Sequence, residues 1–218
     1  MTSYALGPGA NLIYHYETIR ATKAEVATLM ARARAEPKLT FTLYGRPCTM
    51  QRHQLMFGRD YAFSGRTLRA QSEWDPLARR CVAWANARYP PPGAGGGPAY
   101  NAALVNYYHD GSDYISPHRD KGEVRPVLTF TFGAARRMHF AYDKPGGAGK
   151  KRTHSETIPA NRSLLLEHGS CAVMAGPRFQ AEWTHCIRRS KRAEGPRLSV
   201  TVRAFPHQGL DLAPPPQK

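Results

Sequence analysis

The 218-residue chain predicts an α+β fold that is mainly β: N-terminal helices with an antiparallel β extension, then a β-rich core of sandwich, barrel or jelly-roll type. Two observations carry this. From residue 100 onward the sequence breaks into short alternating runs, among them "AALVNYY", "VLTFTFG", "RRMHFAYD", "SLLLEHG", "WTHCIRR" and "LSVTVRAF", separated by turn or basic segments. Before residue 90, only two segments carry helix punctuation.

In chain order, "LIYHYETI" (12–19) reads as a strand. Thr22-Lys23-Ala24-Glu25 has the capping-box form, and Val26, Leu29 and Met30 give helical spacing to about residue 35. "KLTFTLYG" (38–45) alternates as a strand does and ends on Gly45, a turn signal. Asp75-Pro76 supplies an N-cap and a first-turn proline for a second helix to residue 89. "PPPGAGGGP" (90–98) must be a loop, the β-rich runs follow, and "LAPPPQK" at the end is expected to fray. The division expected is one domain, 1–218. Recognition elements fill about 1–99, the core about 100–206, and a flexible tail 207–218.

Hydrophobic residues at 41% suffice for a core, and 31 Lys and Arg against 16 Asp and Glu give a net charge of +15. Such an excess favours a polyanionic partner, with a solvated basic surface as the alternative. The scattered Cys48, Cys81, Cys171 and Cys186 form no Cys-x-x-Cys pair, and the chain opens on no secretory segment. Reduced thiols in an intracellular protein are therefore expected. No apolar run is long enough to cross a bilayer, so no membrane partner is expected; a monomer is the default.

The chemistry begins at "NYYHDGSDYISPHRD" (106–120). In an extended segment His118 and Asp120 point to one side, with Arg119 opposite. A His-x-Asp pair needs one further ligand to form the two-histidine, one-carboxylate triad that leaves open positions on Fe(II). His168 and His185 are both candidates. In "RLSVTVR" (197–203), Arg197, Ser199, Thr201 and Arg203 share one strand face and Leu198, Val200 and Val202 the other. Two arginines on an inner face call for an anion, and a dicarboxylate fits; a wet edge strand is the alternative.

Together these residues resemble the AlkB family of Fe(II)- and 2-oxoglutarate-dependent dioxygenases. The likeness rests on Asn106-x-Tyr108, Gly111-x-Asp113-x-Ile115, His118-x-Asp120, His185, and Arg197 and Arg203, with Arg197 twelve residues after His185. "QRHQLMFGRDYAFSG" (51–65) extends it toward the duplex-DNA repair branch. The resemblance implies a double-stranded β-helix (jelly-roll) core and selects His185 over His168. It puts Fe(II) on His118, Asp120 and His185, and 2-oxoglutarate on Asn106, Tyr108, Arg197, Thr201 and Arg203. It also implies a duplex-invading finger at Tyr44, base contacts from Arg52, Tyr61 and Phe63, and phosphate contacts from Arg188, Arg189, Lys191 and Arg192. Two departures stand out. Lys121-Gly122 replace the acids that usually follow His-x-Asp, leaving Glu123 as the nearest substitute, and Ser199 replaces an asparagine.

The function implied is oxidative removal of methyl groups from 1-methyladenine and 3-methylcytosine in single- or double-stranded DNA, releasing formaldehyde and succinate. The setting implied is intracellular, and nuclear in a eukaryote. An RNA demethylase, a protein hydroxylase of the same superfamily and a non-catalytic basic nucleic-acid-binding module are the alternatives.

Overall fold

The computed structural model describes residues 1–43, 45–63, 66–91, 98–120, 125–143, 161–191 and 195–206, without the side chains of Leu43, Phe63 and Asn161. Tyr44, the Phe63 side chain, Glu123, Arg192, most of the proline-glycine loop and the tail from 207 therefore lie outside the described residues, as do Lys121 and Gly122.

The chain opens with a hairpin, β1 (Thr2–Gly7) and β2 (Ala10–His15). The sequence pattern marks only the second of these, and β2 is shorter than the 12–19 run suggests. Helix α1 (Lys23–Ala35) starts where expected: the Thr22 side chain accepts from the Glu25 backbone N–H, and the Glu25 carboxylate accepts from the Thr22 N–H. Hairpin β3 (Thr40–Leu43) and β4 (Arg46–Thr49) turns through Gly45 at φ +75°. Strand β5 (His53–Phe57) precedes a second hairpin, β6 (Tyr61–Phe63) and β7 (Arg66–Leu68), and the short β8 (Ala70–Gln71). Helix α2 (Pro76–Arg88) has Asp75 as its cap, accepting from the Leu77 N–H.

The core strands are β9 (Ala102–Tyr108), β10 (Ile115–His118), β11 (Val127–Gly133), β12 (Arg136–Tyr142), β13 (Asn161–Leu166) and β14 (Ser170–Ala175). A single-turn α3 (Phe179–Glu182), β15 (Trp183–Ile187) and β16 (Arg197–Arg203) complete it. They form an eight-stranded sheet in the order β1-β2-β14-β11-β16-β9-β5-β8 and a four-stranded sheet in the order β10-β15-β12-β13. Two sheets facing each other, antiparallel except where β8 pairs with β5, form the expected jelly roll. Among the described residues no helix is long and apolar enough to cross a membrane.

Period-two alternation assigns each face. On the large sheet, Leu55, Phe57, Val105, Phe130, Leu198 and Val200 point outward and are capped by Val26, Leu29 and Ala33 of α1 and Leu77, Cys81 and Ala85 of α2. Toward one end of the space between the sheets lies a second core, with Met138, Phe140, Ala172, Met174, Phe179 and Trp183. A smaller apolar cluster of Met56, Leu68, Ala102 and Leu104 lies on the large sheet, and much of the remaining space is polar. β16 is no edge strand, since it lies between β11 and β9 and all seven of its residues are buried. Its polar face is enclosed because the helices have already covered its apolar one.

Gly58 fixes how β5 leaves the sheet. It sits at φ +87°, and a Cβ there would collide with the Asn101 carbonyl oxygen and come within 2.7 Å of Trp74 Cζ2. Gly58→Ala is expected to destabilise the fold by about 2–4 kcal/mol, from backbone strain plus overpacking, lowering Tm by roughly 5–15 °C. Gly45→Ala has a similar φ but open space, so it should cost only about 1 kcal/mol. Equal Tm shifts for the two variants in thermal unfolding would contradict this packing.

Candidate metal and anion site

The antiparallel register of β10 and β15 sets His118 directly opposite His185. Both rings enter the space between the sheets, with centroids 4.2 Å apart. Asp120, two residues past His118 and just beyond the strand end, brings Oδ2 to 3.5 Å from His185 Nε2. The potential ligand atoms of His118, Asp120 and His185 all lie within 4.8 Å of one another. His168, the other candidate, is at the β13–β14 turn, where its Nδ1 accepts from the Gly133 N–H.

The protonation states suit a cation. Burial drives the His185 imidazole down to about 3 and also lowers His118, so both rings are neutral and carry a lone pair. His118 Nδ1 donates to the Ser116 carbonyl at 2.9 Å, which leaves the lone pair on Nε2. For Asp120, burial pushes its carboxyl upward, but the positive charge around it, Arg203 foremost, outweighs burial and holds it below the ordinary range. Arg203 donates through Nη2 to Asp120 Oδ1 at 2.5 Å, and the Asp120 backbone N–H donates to Gln180 Oε1 at 3.0 Å. Asp120 Oδ2 is buried with no hydrogen-bond partner among the described residues. An ionised oxygen stranded in this way is costly unless a cation takes it. Two neutral nitrogens and one carboxylate with an orphan oxygen fit a divalent transition metal such as Fe(II).

In the same cavity lies a candidate anion site. Arg197 is 1% exposed, and its Nη2 donates to Thr131 Oγ1 at 3.0 Å. Nε and Nη1 have no hydrogen-bond partner, and no carboxylate forms an ion pair with Arg197 among the described residues. Burial lowers its pKa, and the Tyr108 ring lies 5.0 Å from the guanidinium carbon. Donors left open on a buried guanidinium call for an acceptor, and a carboxylate oxygen is a strong one. Asn106 is oriented by Arg52 Nε at 2.8 Å and Gln54 Nε2 at 2.9 Å, both donating to its Oδ1, so its amide nitrogen is the group it can offer the cavity. Thr201 Oγ1 lies 3.3 Å from Thr129 Oγ1 on the same wall.

These groups line one cavity of ≈ 810 Å³, large enough for a small diacid and a further ligand. It gathers His118, Asp120, His185, Asn106, Tyr108, Arg197, Thr201 and Arg203 with Arg52 and Tyr61. Ser199 lines it too. Arg52 is a buried residue gripping Asn106, not a surface arginine. Arg203 is held on Asp120 and packs 4.6 Å over the Tyr61 ring, so its observed contact is with the metal ligand. Arg188, Arg189 and Lys191 are exposed after β15 and do not line the cavity; Arg189 instead stacks 4.7 Å over Tyr114, which does.

Sequence reasoning missed Gln54, Thr131, Gln180 and Tyr114. Of these, only Gln54 carried a signal, its place in the "QRHQ" stretch. The others act through contacts that strand pairing and a one-turn helix create.

The sequence pattern of the 2OG-Fe(II) oxygenase superfamily matches residues 11–203. The chain is 30% identical over 173 residues to a mouse protein named DNA oxidative demethylase ALKBH2, covering 74% of this chain and 64% of the mouse one. It is 30% identical over 169 residues to the human protein of that name, covering 74% of this chain and 59% of the human one. The chain thus spans less than two thirds of the length of these relatives. A solved structure of OsALKBH1 superposes with a TM-score of 0.56 at 15% identity, over 94% of this chain and 100% of that one, which supports the fold.

Replacing His185 or Asp120 by Ala should reduce affinity for a divalent probe such as Mn(II) by at least about 100-fold, while the Arg197→Lys protein retains it. Isothermal titration checks this; wild-type affinity in the Asp120→Ala protein would remove the triad from consideration.

Proposed function

The chain belongs to the 2OG-Fe(II) oxygenase superfamily and, within it, to the AlkB family, and from that premise we propose that it is a dioxygenase removing methyl groups from alkylated bases in DNA. The observation that carries the reading is the adjacency of a cation site and an unneutralised guanidinium in one cavity. His118, Asp120 and His185 would hold iron. Arg197 would take the distal carboxylate of 2-oxoglutarate, with Asn106, Tyr108 and Thr201 on the same wall. When bound, iron and 2-oxoglutarate supply the oxidation of an N-methyl carbon by O2, giving succinate, carbon dioxide, formaldehyde and the restored base.

The chain's own residues do the positioning. Arg203 and Gln180 lock Asp120 from both its carboxylate and its backbone, so the ligand oxygen faces the histidines before any metal arrives. Arg52 and Gln54 fix Asn106 in the same way. Tyr61 lines the cavity with its ring already packed against Arg203, giving the base an ordered wall. A base inside a duplex must leave the stack to reach such a cavity. The +15 charge draws in a polyanion, and the exposed Arg188, Arg189 and Lys191 suit phosphate contacts, which position without reading sequence.

We infer that residues 1–206 act as one catalytic unit and that the substrates are 1-methyladenine and 3-methylcytosine, in single or double strands. RNA remains a second substrate class under the same chemistry. The setting follows the substrate: intracellular, and nuclear in a eukaryote. A non-catalytic binding module fits poorly, because a bare scaffold has no use for an orphan carboxylate oxygen beside two neutral imidazoles.

Incubation of methylated oligonucleotides with Fe(II), ascorbate and 2-oxoglutarate should restore the bases and form one succinate per methyl group removed. The His118→Ala protein should lose at least about 1000-fold in turnover. Methylated DNA and RNA left untouched while succinate accumulates would rule out a nucleic-acid substrate.

A further inference from the structure

Gln54 carries a buried polar atom that the chemistry above leaves unused. The residue is 3% exposed and lines the metal cavity, and its Oε1 has no hydrogen-bond partner among the described residues. The identity of that atom follows from its neighbours. Arg52 Nε can only donate, so the Asn106 atom it meets at 2.8 Å is the amide oxygen. Gln54 meets the same oxygen at 2.9 Å and must present its Nε2 there. The end of the Gln54 amide left bare is therefore an acceptor. A buried acceptor without a donor is costly, which marks it as a place for a donor that a ligand brings.

The register and the chemistry of the two ligands say which one that is. Gln54 on β5 stands opposite Asn106 on β9, and Asn106 opposite Ser199 on β16, so the three share one row of the cavity wall. Arg197 and Thr201, assigned to the diacid, are on β16, two strands from Gln54. β5 instead leads into β6, whose Tyr61 lines the same cavity. At neutral pH 2-oxoglutarate offers two carboxylates and a keto oxygen, all acceptors, and cannot satisfy Oε1. A methylated adenine or cytosine can, since each has an exocyclic amino group whose N–H bonds are polarised by a positively charged ring.

We propose that Gln54 Oε1 accepts a hydrogen bond from the exocyclic amino group of the alkylated base, and so selects bases with an amino group over those with a carbonyl at that position. The proposal rests on the nucleic-acid reading of the cavity. Gln54 then serves both ligands: one end of its amide orients Asn106, and the other reads the base. A base with a carbonyl there would set two acceptors against each other and leave both unpaired.

The test pairs one change in the protein with one in the substrate. Two oligonucleotides are compared, one carrying 1-methyladenine and one carrying 1-methylhypoxanthine, the same ring with a carbonyl in place of the amino group. The wild-type protein should favour 1-methyladenine in kcat/KM, and Gln54→Met should shrink that preference about 10–100-fold. Gln54→Asn, which keeps an amide but withdraws it by one methylene, should shrink it as well. Equal losses on both strands in both variants would overturn the proposal, because a role through Asn106 alone would slow both alike. So would a wild-type protein indifferent to the amino group. Fluorescence anisotropy with the Mn(II)-loaded protein makes the same comparison without turnover. If no methyl group left either strand, yet tighter binding of the 1-methyladenine strand depended on Gln54, the contact would stand and the demethylation reading would fall.

Discussion

Asp120 holds one negative charge where two demands meet. Its Oδ1 neutralises Arg203, a guanidinium only 3% exposed, and its Oδ2 stands unpaired beside His185. Removing it would take this carboxylate from a buried guanidinium, a loss of about 3–5 kcal/mol by comparison with other broken buried pairs. The same carboxylate gives two neutral imidazoles the charge that makes them a cation site. Stability and chemistry are therefore carried by one side chain. The site's second guanidinium, on Arg197, has no such partner among the described residues and is left open to a ligand.

Such a polar interior is possible because the apolar work is done on the other side. Along β16, Leu198, Val200 and Val202 pack under the two helices, while Arg197, Ser199, Thr201 and Arg203 look into the cavity. β9 does the same, with Ala103, Val105 and Tyr107 outward and Asn106 and Tyr108 inward. Burying an apolar face of this size outweighs the desolvation of a few polar groups, provided those groups are paired or are awaiting a ligand. The small sheet contributes the metal ligands through one register: His118 faces His185 only because β10 and β15 pair as they do. A one-residue slip of β10 would turn the His118 ring away from His185.

Much of this was legible in the sequence, and for local reasons. The capping box at Thr22–Glu25 and the Asp75-Pro76 start are signals complete within four residues, and both helices begin there. Strict alternation in 197–203 gave the two faces of β16 correctly, though it could not distinguish a central strand from a wet edge, which depends on neighbours far along the chain. The family resemblance, rather than spacing alone, chose His185 over His168, and His118, Asp120 and His185 do converge. What pairing alone creates stayed hidden: the β1–β2 hairpin, whose short alternation is weak, the Gln180 grip on the Asp120 backbone, and the Thr131 contact of Arg197. The pairing of Arg203 with Asp120 is a contact that only three-dimensional proximity reveals.

The central claim is that one cavity holds a metal and a diacid side by side. Anaerobic crystals soaked with Mn(II) and 2-oxoglutarate test it most directly, through the anomalous signal of the metal and the electron density of the diacid. The metal should lie among His118, Asp120 and His185, with the distal carboxylate on the Arg197 guanidinium. Metal bound elsewhere, or a diacid that leaves Arg197 untouched, would contradict the account.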